Sequence, residues 1–231
     1  MGTAGKINFT FVIAIAISTI GGWAATNQPR LEASWPASVS GFAFSPFRRG
    51  QTPSRGQYPL YDEIDADLEL IAHNGSAVRT YSLDGSLSEI PNIASRHGLD
   101  VTVGVELDDD PRSNDLRLEE LRTLASRTDN VRRAIVGNET LLTSELTIDE
   151  LTSLLDRARH NSKVAIGTAE PWHMWIEHPE LADHVDFIAV HLLPYWEGIH
   201  VDDAVDYIVT QMDTLKATFP DKPIVIGEVG W

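Results

Sequence analysis

The chain has 231 residues, 42% of them apolar, and it carries a formal net charge of −16 at pH 7. This acidity argues against a nucleic-acid partner, because phosphate backbones attract clustered lysine and arginine. The chain contains no cysteine, which excludes disulfides, thiolate metal sites and a cysteine nucleophile.

The first predicted element is an apolar segment from Ile7 to Ala25, with basic residues on both sides. Its length suits either the apolar region of a cleaved signal peptide or a helix that crosses a bilayer of about 30 Å. A buried globular helix is a third alternative. Residues 1–26 are therefore predicted to be a signal peptide or a membrane anchor, followed by a polar linker over 27–38. Export follows from either of the first two, with the remainder secreted or anchored at the membrane and facing the periplasm or cell exterior.

After residue 38, strand-like and helix-like segments alternate along the chain. The strand-like segments are short and rich in Val, Ile and Ala, which is typical of strands covered on both faces. Seven strands are predicted, at Val39–Phe44, Ala77–Tyr81, Val101–Glu106, Ala134–Asn138, Val164–Thr168, Phe187–His191 and Ile224–Glu228. Apolar residues at helical spacing predict helices around 64–72, 118–125, 151–158 and 204–215. Thr147 and Glu150 form the sequence pattern of a capping box before the third of these helices.

This alternation predicts a parallel sheet, for which a doubly wound sheet and a (β/α)₈ barrel are both open. The glycine-rich fingerprint of a dinucleotide-binding sheet is missing after the first strand, at residues 45–50. The predicted fold is therefore α/β, a (β/α)₈ TIM barrel over 39–231. It is expected to be C-terminally truncated after the seventh strand, because the chain stops three residues past Glu228. We therefore expect the chain to be a fragment of a longer protein.

Two glutamates follow apolar runs that are predicted as buried strands. Glu139 closes the run 134–139, and Glu228 closes the run 223–228. In a barrel, chemistry takes place at the C-terminal ends of the strands. Two carboxylates that face each other there are what the cleavage of a glycosidic bond requires. The pair therefore predicts a glycosidase.

Other polar and aromatic residues collect at the same strand ends. Aromatic rings stack on sugars, while amides, guanidinium groups and carboxylates bind sugar hydroxyls, so the set predicts a sugar site. The candidates are Arg79, Tyr81, Glu106, Asn138, Glu170, Trp172, Trp175, His191, Tyr195, Trp196 and Trp231.

Several of these candidates also have a structural interpretation. The aromatic residues could instead roof the barrel, and Arg79 could orient a carboxylate. His191 could bind substrate or be a satisfied core histidine, while Glu106 and Glu170 are at most outer-site candidates. The histidines at 173–178 do not match a zinc motif, so neither a metal nor a cofactor is predicted.

Four motifs in order resemble those of glycoside hydrolase family 17, of bacterial type. They are Val136–Glu139, Ile226–Trp231, Val78–Ser82 and Leu193–Trp196. The resemblance implies a (β/α)₈ enzyme that acts on β-1,3-glucans, as a glucanase or a glucanosyltransferase. In that family the catalytic carboxylates follow strands four and seven, where Glu139 and Glu228 stand. Gly227 is a departure, because family members more often have a small hydroxyl residue there.

The resemblance also implies a role for each matched residue. Glu139 would be the general acid/base and Glu228 the nucleophile of a retaining mechanism. Asn138 would bind the sugar 2-hydroxyl, and Tyr195 would donate a hydrogen bond to Glu228. Two other functions stay open: a glycosidase-like module of a larger membrane β-glucan synthase, and a non-catalytic glucan-binding barrel.

Overall fold

The computed structural model describes residues 3–28 and 39–230. The chain divides into two compact units, Met1–Pro36 and Ala37–Trp231. Most of the predicted linker, residues 29–38, lies outside the described residues, so the linker stays a prediction.

The first unit contains helix α1, Thr3–Thr26. The stretch Phe9–Thr26 has a mean hydropathy of 1.7 and is long and apolar enough to cross a membrane, by length and composition alone. Its apolar residues lie on all faces of the helix rather than on one stripe. Membrane spans and signal sequences share this pattern, whereas a helix at the surface of a globular core is amphipathic. The signal peptide and the membrane anchor both stay predictions for residues 1–26.

The second unit alternates strands and helices. In chain order they are β1 Phe42–Ala43, α2 Tyr61–Ala72, β2 Ala77–Arg79, α3 Ile90–Arg96, β3 Asp100–Val105, α4 Pro111–Arg127, β4 Val131–Asn138, α5 Ile148–Arg159, β5 Ala165–Pro171, α6 Trp172–Glu177, β6 Phe187–Leu192, α7 Ala204–Thr218 and β7 Ile224–Val229.

The seven strands form one parallel sheet in the order β1 to β7. Strands that pair in sequence order with helical crossovers follow the winding of a (β/α)₈ barrel, whereas a doubly wound sheet reverses its order. The predicted fold is therefore confirmed, with seven strands of such a barrel within the described residues. The predicted capping box is also present, since the Thr147 N–H donates to Glu150 Oε2 at 2.9 Å.

Each strand lies where the sequence predicted it, with shifted ends. Strand β5 continues three residues beyond its predicted end at Thr168, to Pro171. This extension brings Glu170 into the ladder opposite Val190 of β6. Helices α3 and α6 were not predicted. They are short and contain proline or clustered aromatic residues, so they lack a clear helical period.

Trp175 on α6 belongs to the core and not to a sugar site. Its side chain is fully buried, and its indole N–H donates to the Ala189 carbonyl of β6 at 3.2 Å. The ring also packs edge-on against Phe219, with 6.5 Å between centroids. The interpretation of Trp175 as a site residue is therefore wrong, because α6 turns this side chain toward the sheet.

We expect Trp175→Ala to lower the free energy of unfolding by about 3–5 kcal/mol, because the substitution removes a large buried ring and leaves a cavity. The matched control is Trp196→Ala, since the Trp196 side chain is 79% exposed. That substitution should change the unfolding free energy by less than about 0.5 kcal/mol. Urea unfolding followed by circular dichroism measures both changes, and equal losses would contradict the assignment of Trp175 to the core.

Candidate active site

The carboxyl ends of the parallel strands meet at one end of the barrel and carry the predicted site residues. Arg79 ends β2, Asn138 ends β4, His191 lies in β6 and Glu228 lies in β7. Glu139 follows β4 directly. The structure brings these five residues together through hydrogen bonds and one 3.7 Å contact between His191 and Glu228, although the chain separates them by up to 149 positions.

Glu228 is held by two donors on strand β2 and the turn after it. Arg79 Nη1 donates to Glu228 Oε1 at 2.7 Å, and the Tyr81 hydroxyl donates to the same oxygen at 2.8 Å. Burial alone would raise the pKa of Glu228. The neighbouring His191, the Tyr81 hydroxyl and the Arg79 guanidinium together leave this pKa below its usual value. The carboxyl of Glu228 is therefore ionised at neutral pH.

Tyr81 supplies the hydroxyl that the resemblance assigned to Tyr195. Burial and the neighbouring Glu228 raise the pKa of Tyr81 to about 12, against the lowering effect of Arg79, so the phenol keeps its proton and donates. Tyr195 lies at the exposed rim, with its ring edge-on to Trp196 at 5.2 Å between centroids. Its predicted contact with Glu228 stays a prediction.

Arg79 is buried, with 7% of its surface exposed, and links three residues of the site. One guanidinium nitrogen binds Glu228, and another donates to the side-chain oxygen of Asn138. The guanidinium also lies 4.0 Å above the Tyr81 ring. Because the Asn138 oxygen already accepts from Arg79, its amide N–H groups remain to donate to a ligand.

The backbone around Glu139 has an unusual conformation. Glu139 has φ 55°, in the left-handed region, and Gly137 two residues earlier has φ 87°. A Cβ at Gly137 would also lie 2.9 Å from Thr140 Oγ1, so only glycine fits there. A non-glycine residue in the left-handed conformation raises the free energy of the folded state by on the order of 1–3 kcal/mol. Contacts with its surroundings must therefore hold it there. The Glu139 N–H donates to the Ala169 carbonyl of β5 at 2.7 Å, which is one such contact.

His191 lies between the two glutamates. Its Nδ1 is 2.8 Å from Glu139 Oε1, and its Nε2 is 3.7 Å from Glu228 Oε1. The ring is 1% exposed, so it is a buried residue that contacts both carboxylates. Gly227 lies directly beneath it, and a Cβ there would approach His191 Cδ2 to 3.1 Å. The glycine that departs from the family 17 pattern therefore leaves room for this imidazole.

A cleft of about 450 Å³ opens above these groups, a size typical of small-ligand sites. It is lined by Glu139, Leu142, Pro171, His173, His191, Leu193, Trp196, Glu197 and Glu228. Polar and aromatic side chains therefore surround both glutamates, as a sugar site requires.

Glu197 is a cleft residue that the sequence analysis missed. The Trp172 indole N–H donates to Glu197 Oε1 at 2.9 Å, and the Tyr207 hydroxyl donates to Oε2. Burial and this hydrogen bond raise the pKa of Tyr207, so the phenol is a donor. The only sequence signal was the position of Glu197 next to the aromatic turn at 195–196. Its carboxylate orients Trp172, which was predicted as a sugar-binding residue.

Two other predicted carboxylates have different surroundings. Burial raises the pKa of Glu106 despite the nearby Arg117, and Glu106 does not line this cleft. Glu170 is completely buried, so its interpretation as an outer-site residue is wrong. Burial raises the pKa of Glu170 to about 7, although backbone N–H donors after Glu139 lower it in part. Trp231 lies outside the described residues, and its role stays a prediction.

Most of the chain matches a known protein family. The family model of the BtgE/BtgC glycoside hydrolase domain matches residues 41–231. The chain is 27% identical over 179 residues to a probable beta-glucosidase, btgE, of Aspergillus terreus, covering 73% of the chain and 32% of that protein. It is 25% identical over 206 residues to a putative glucan endo-1,3-beta-glucosidase, btgC, of Aspergillus niger, covering 78% of the chain and 30% of that protein. The chain thus spans about a third of these relatives, and its predicted bacterial type stays a prediction.

Solved structures resemble the fold. A glycoside hydrolase family 17 β-1,3-glucanosyltransferase from Rhizomucor miehei has a TM-score of 0.68 at 24% identity, over 83% of this chain and 71% of that one. An endo-laminarinase from Formosa has a TM-score of 0.72 at 18% identity, over 84% of this chain and 66% of that one. At these identities the likeness shows a shared barrel.

We expect Arg79→Met to raise the pKa of Glu228 by about 1–3 units, because an adjacent positive charge lowers a carboxyl pKa by this amount. The pKa can be followed by ¹³C NMR of the Glu228 side-chain carboxyl. Arg96→Met is the matched control, since Arg96 forms an exposed ion pair with Asp65 at the same 2.7 Å. It should leave the Glu228 titration unchanged. An unshifted Glu228 titration in Arg79→Met would contradict the predicted electrostatic role.

Proposed function

The chain belongs to the BtgE/BtgC glycoside hydrolase domain family, and we propose that it cleaves β-1,3-glucans with retention, through a covalent glucosyl-enzyme intermediate. One observation carries the proposal: Glu228 and Glu139 meet across the same buried imidazole, with Glu228 paired to Arg79. The printed activities of two relatives, a putative glucan endo-1,3-beta-glucosidase and a β-1,3-glucanosyltransferase, support a β-1,3-glucan as substrate.

Glu228 is the proposed nucleophile. Arg79, Tyr81 and His191 all approach its Oε1, which leaves Oε2 as the oxygen that attacks the anomeric carbon. The attack forms an ester between Glu228 and the sugar and breaks the glycosidic bond. Because Arg79 and Tyr81 favour the charged form of Glu228, the nucleophile is ready without prior proton transfer.

Glu139 is the proposed general acid/base. It gives a proton to the departing glycosidic oxygen and then takes one from the molecule that attacks the ester. The His191 ring suits this role when its Nδ1–H donates to Glu139 Oε1, because Oε2 can then hold the proton that passes to the glycosidic oxygen.

Three further residues bind the sugar in this proposal. The free N–H groups of Asn138 are available to the 2-hydroxyl, a contact that strengthens in the transition state. Trp196 and Trp172 supply aromatic faces for the pyranose rings, and the hydrogen bond to Glu197 fixes the Trp172 ring.

The second step has two outcomes. Water releases the glucose unit, whereas a second glucan accepts it and gives a longer chain. Incubation with laminaritriose distinguishes the two, because transfer yields products longer than the substrate. A non-catalytic glucan-binding barrel is the alternative, and such a barrel would yield neither shorter nor longer products.

The proposed location is outside the cytoplasm. Helix α1 is compatible with a signal sequence and also with a membrane anchor. The anchor would suit a module of a larger membrane β-glucan synthase. N-terminal sequencing of the native protein distinguishes cleavage near residue 26 from retention of the helix.

We expect Glu228→Ala to abolish turnover of every glucoside, because no other group in the proposed mechanism forms the ester. Glu139→Ala should slow the cleavage of natural glucans by about 10²–10⁴-fold, since general acid catalysis contributes this much. It should affect the first-turnover release of dinitrophenolate far less, because that leaving group needs no proton. The measurements are initial rates on laminarin and stopped-flow traces with an activated laminaribioside.

Azide provides the control for this assignment. In Glu139→Ala it should attack the accumulated ester and yield a β-glycosyl azide, because two inversions give retention. Equal losses of rate on laminarin and on the activated laminaribioside, with no azide product, would contradict the proposed role of Glu139.

A further inference from the structure

We infer that Glu170 is a positioning residue for Glu139, acting by binding the backbone amides that follow it. The inference rests on the proposed function, because it assigns Glu170 to the proton-transfer part of that reaction. Glu170 lies near the end of β5 and is completely buried. It therefore acts through Glu139 and does not touch the sugar.

Both oxygens of Glu170 accept hydrogen bonds from the loop after Glu139. The N–H of Leu141 donates to Oε1 at 2.8 Å, and the N–H of Leu142 donates to Oε2 at 3.3 Å. The nearby Thr140 N–H also lowers the pKa of Glu170. Successive amides that converge on one carboxylate form a concave anion site, here filled by a side chain of the same protein.

The contact belongs to a series along β5. Thr168 Oγ1 donates to the Gly137 carbonyl at 3.2 Å, and the Ala169 carbonyl accepts from the Glu139 N–H at 2.7 Å. Glu170 then binds the amides that follow. Three successive residues of β5 therefore hold the chain on both sides of Glu139, where φ is 55°. This support maintains a backbone conformation that is unfavourable by itself.

A neutral side chain would fill this position at a lower desolvation cost. Among the described residues, Glu170 forms no ion pair, so backbone dipoles offset the burial of its charge only in part and its pKa stays raised to about 7. Repulsion from Glu139 adds to this cost. The geometry gives the carboxylate a specific use, because two acceptor oxygens can bind neighbouring amides at once and fix the direction of the Glu139 side chain.

The test is Glu170→Gln, which keeps the size of the side chain but replaces one acceptor oxygen with an N–H₂ donor. We expect kcat on laminarin to fall by about 10–100-fold, because small misplacements of a catalytic group have effects of this order. KM should change by less than about twofold, since sugar contacts are untouched. First-turnover release of dinitrophenolate from an activated laminaribioside should fall by less than about threefold, because this step needs no acid.

Two comparisons separate positioning from general damage. Glu177→Gln is the matched control, an exposed carboxylate at the end of α6, and should leave both rates unchanged. In a Glu139→Ala background, Glu170→Gln should cause no further loss on laminarin, because the group that it positions is already absent. Equal loss on both substrates, or an additive loss in the double variant, would overturn the inference.

Folding and the parent activity are checked separately. Should Glu170→Gln fail to fold by circular dichroism, Glu170→Asp takes its place, since it keeps the charge but shortens the reach to the amides. It should show the same selective loss on laminarin. A wild-type protein that acts on neither substrate would overturn the proposed function, and with it this inference. An active wild type with a non-selective Glu170 variant would overturn the inference alone.

Discussion

The ion pair between the buried Arg79 and the half-buried Glu228 is the interaction on which the site depends. A charged residue that is only 7% exposed must be matched by charge and hydrogen bonds, or it destabilises the fold by several kcal/mol. Glu228 supplies the charge and Asn138 supplies a second acceptor. Because these partners lie on β2, β7 and β4, the pair can form only when the sheet has curved into a barrel. Folding and the ionisation of Glu228, the proposed nucleophile, are therefore linked.

The surroundings of Glu139 are organised differently. Glu139 has no cationic guanidinium against it among the described residues; it contacts the His191 ring, and its own backbone lies in a strained turn. Strand β5 supplies the contacts that hold this turn, two of them through backbone atoms of residues 137 and 139. The contrast matches the proposed chemistry, in which one carboxyl stays charged and the other exchanges a proton.

The departure at Gly227 is explained by the same packing. A side chain there would press on the buried His191 ring, so the glycine and the histidine fit together. The family 17 pattern alone shows a missing hydroxyl at this position. The structure shows an imidazole on β6 that occupies the space between the carboxylates, which gives the departure a physical reason.

The sequence by itself determined the seven strands and the catalytic pair of the proposal. Buried parallel strands appear as apolar runs, and polar residues at their ends stand out against them, so Glu139 and Glu228 could be recognised without a structure. The capping box of α5 is equally local, because its partners lie three residues apart. Tertiary structure alone decided that Tyr81 donates to Glu228, that Glu170 binds the amides after Glu139, and that Trp175 is a core residue. These contacts join residues 14 to 147 positions apart, and no local pattern encodes which side chains meet when β-strands curve together.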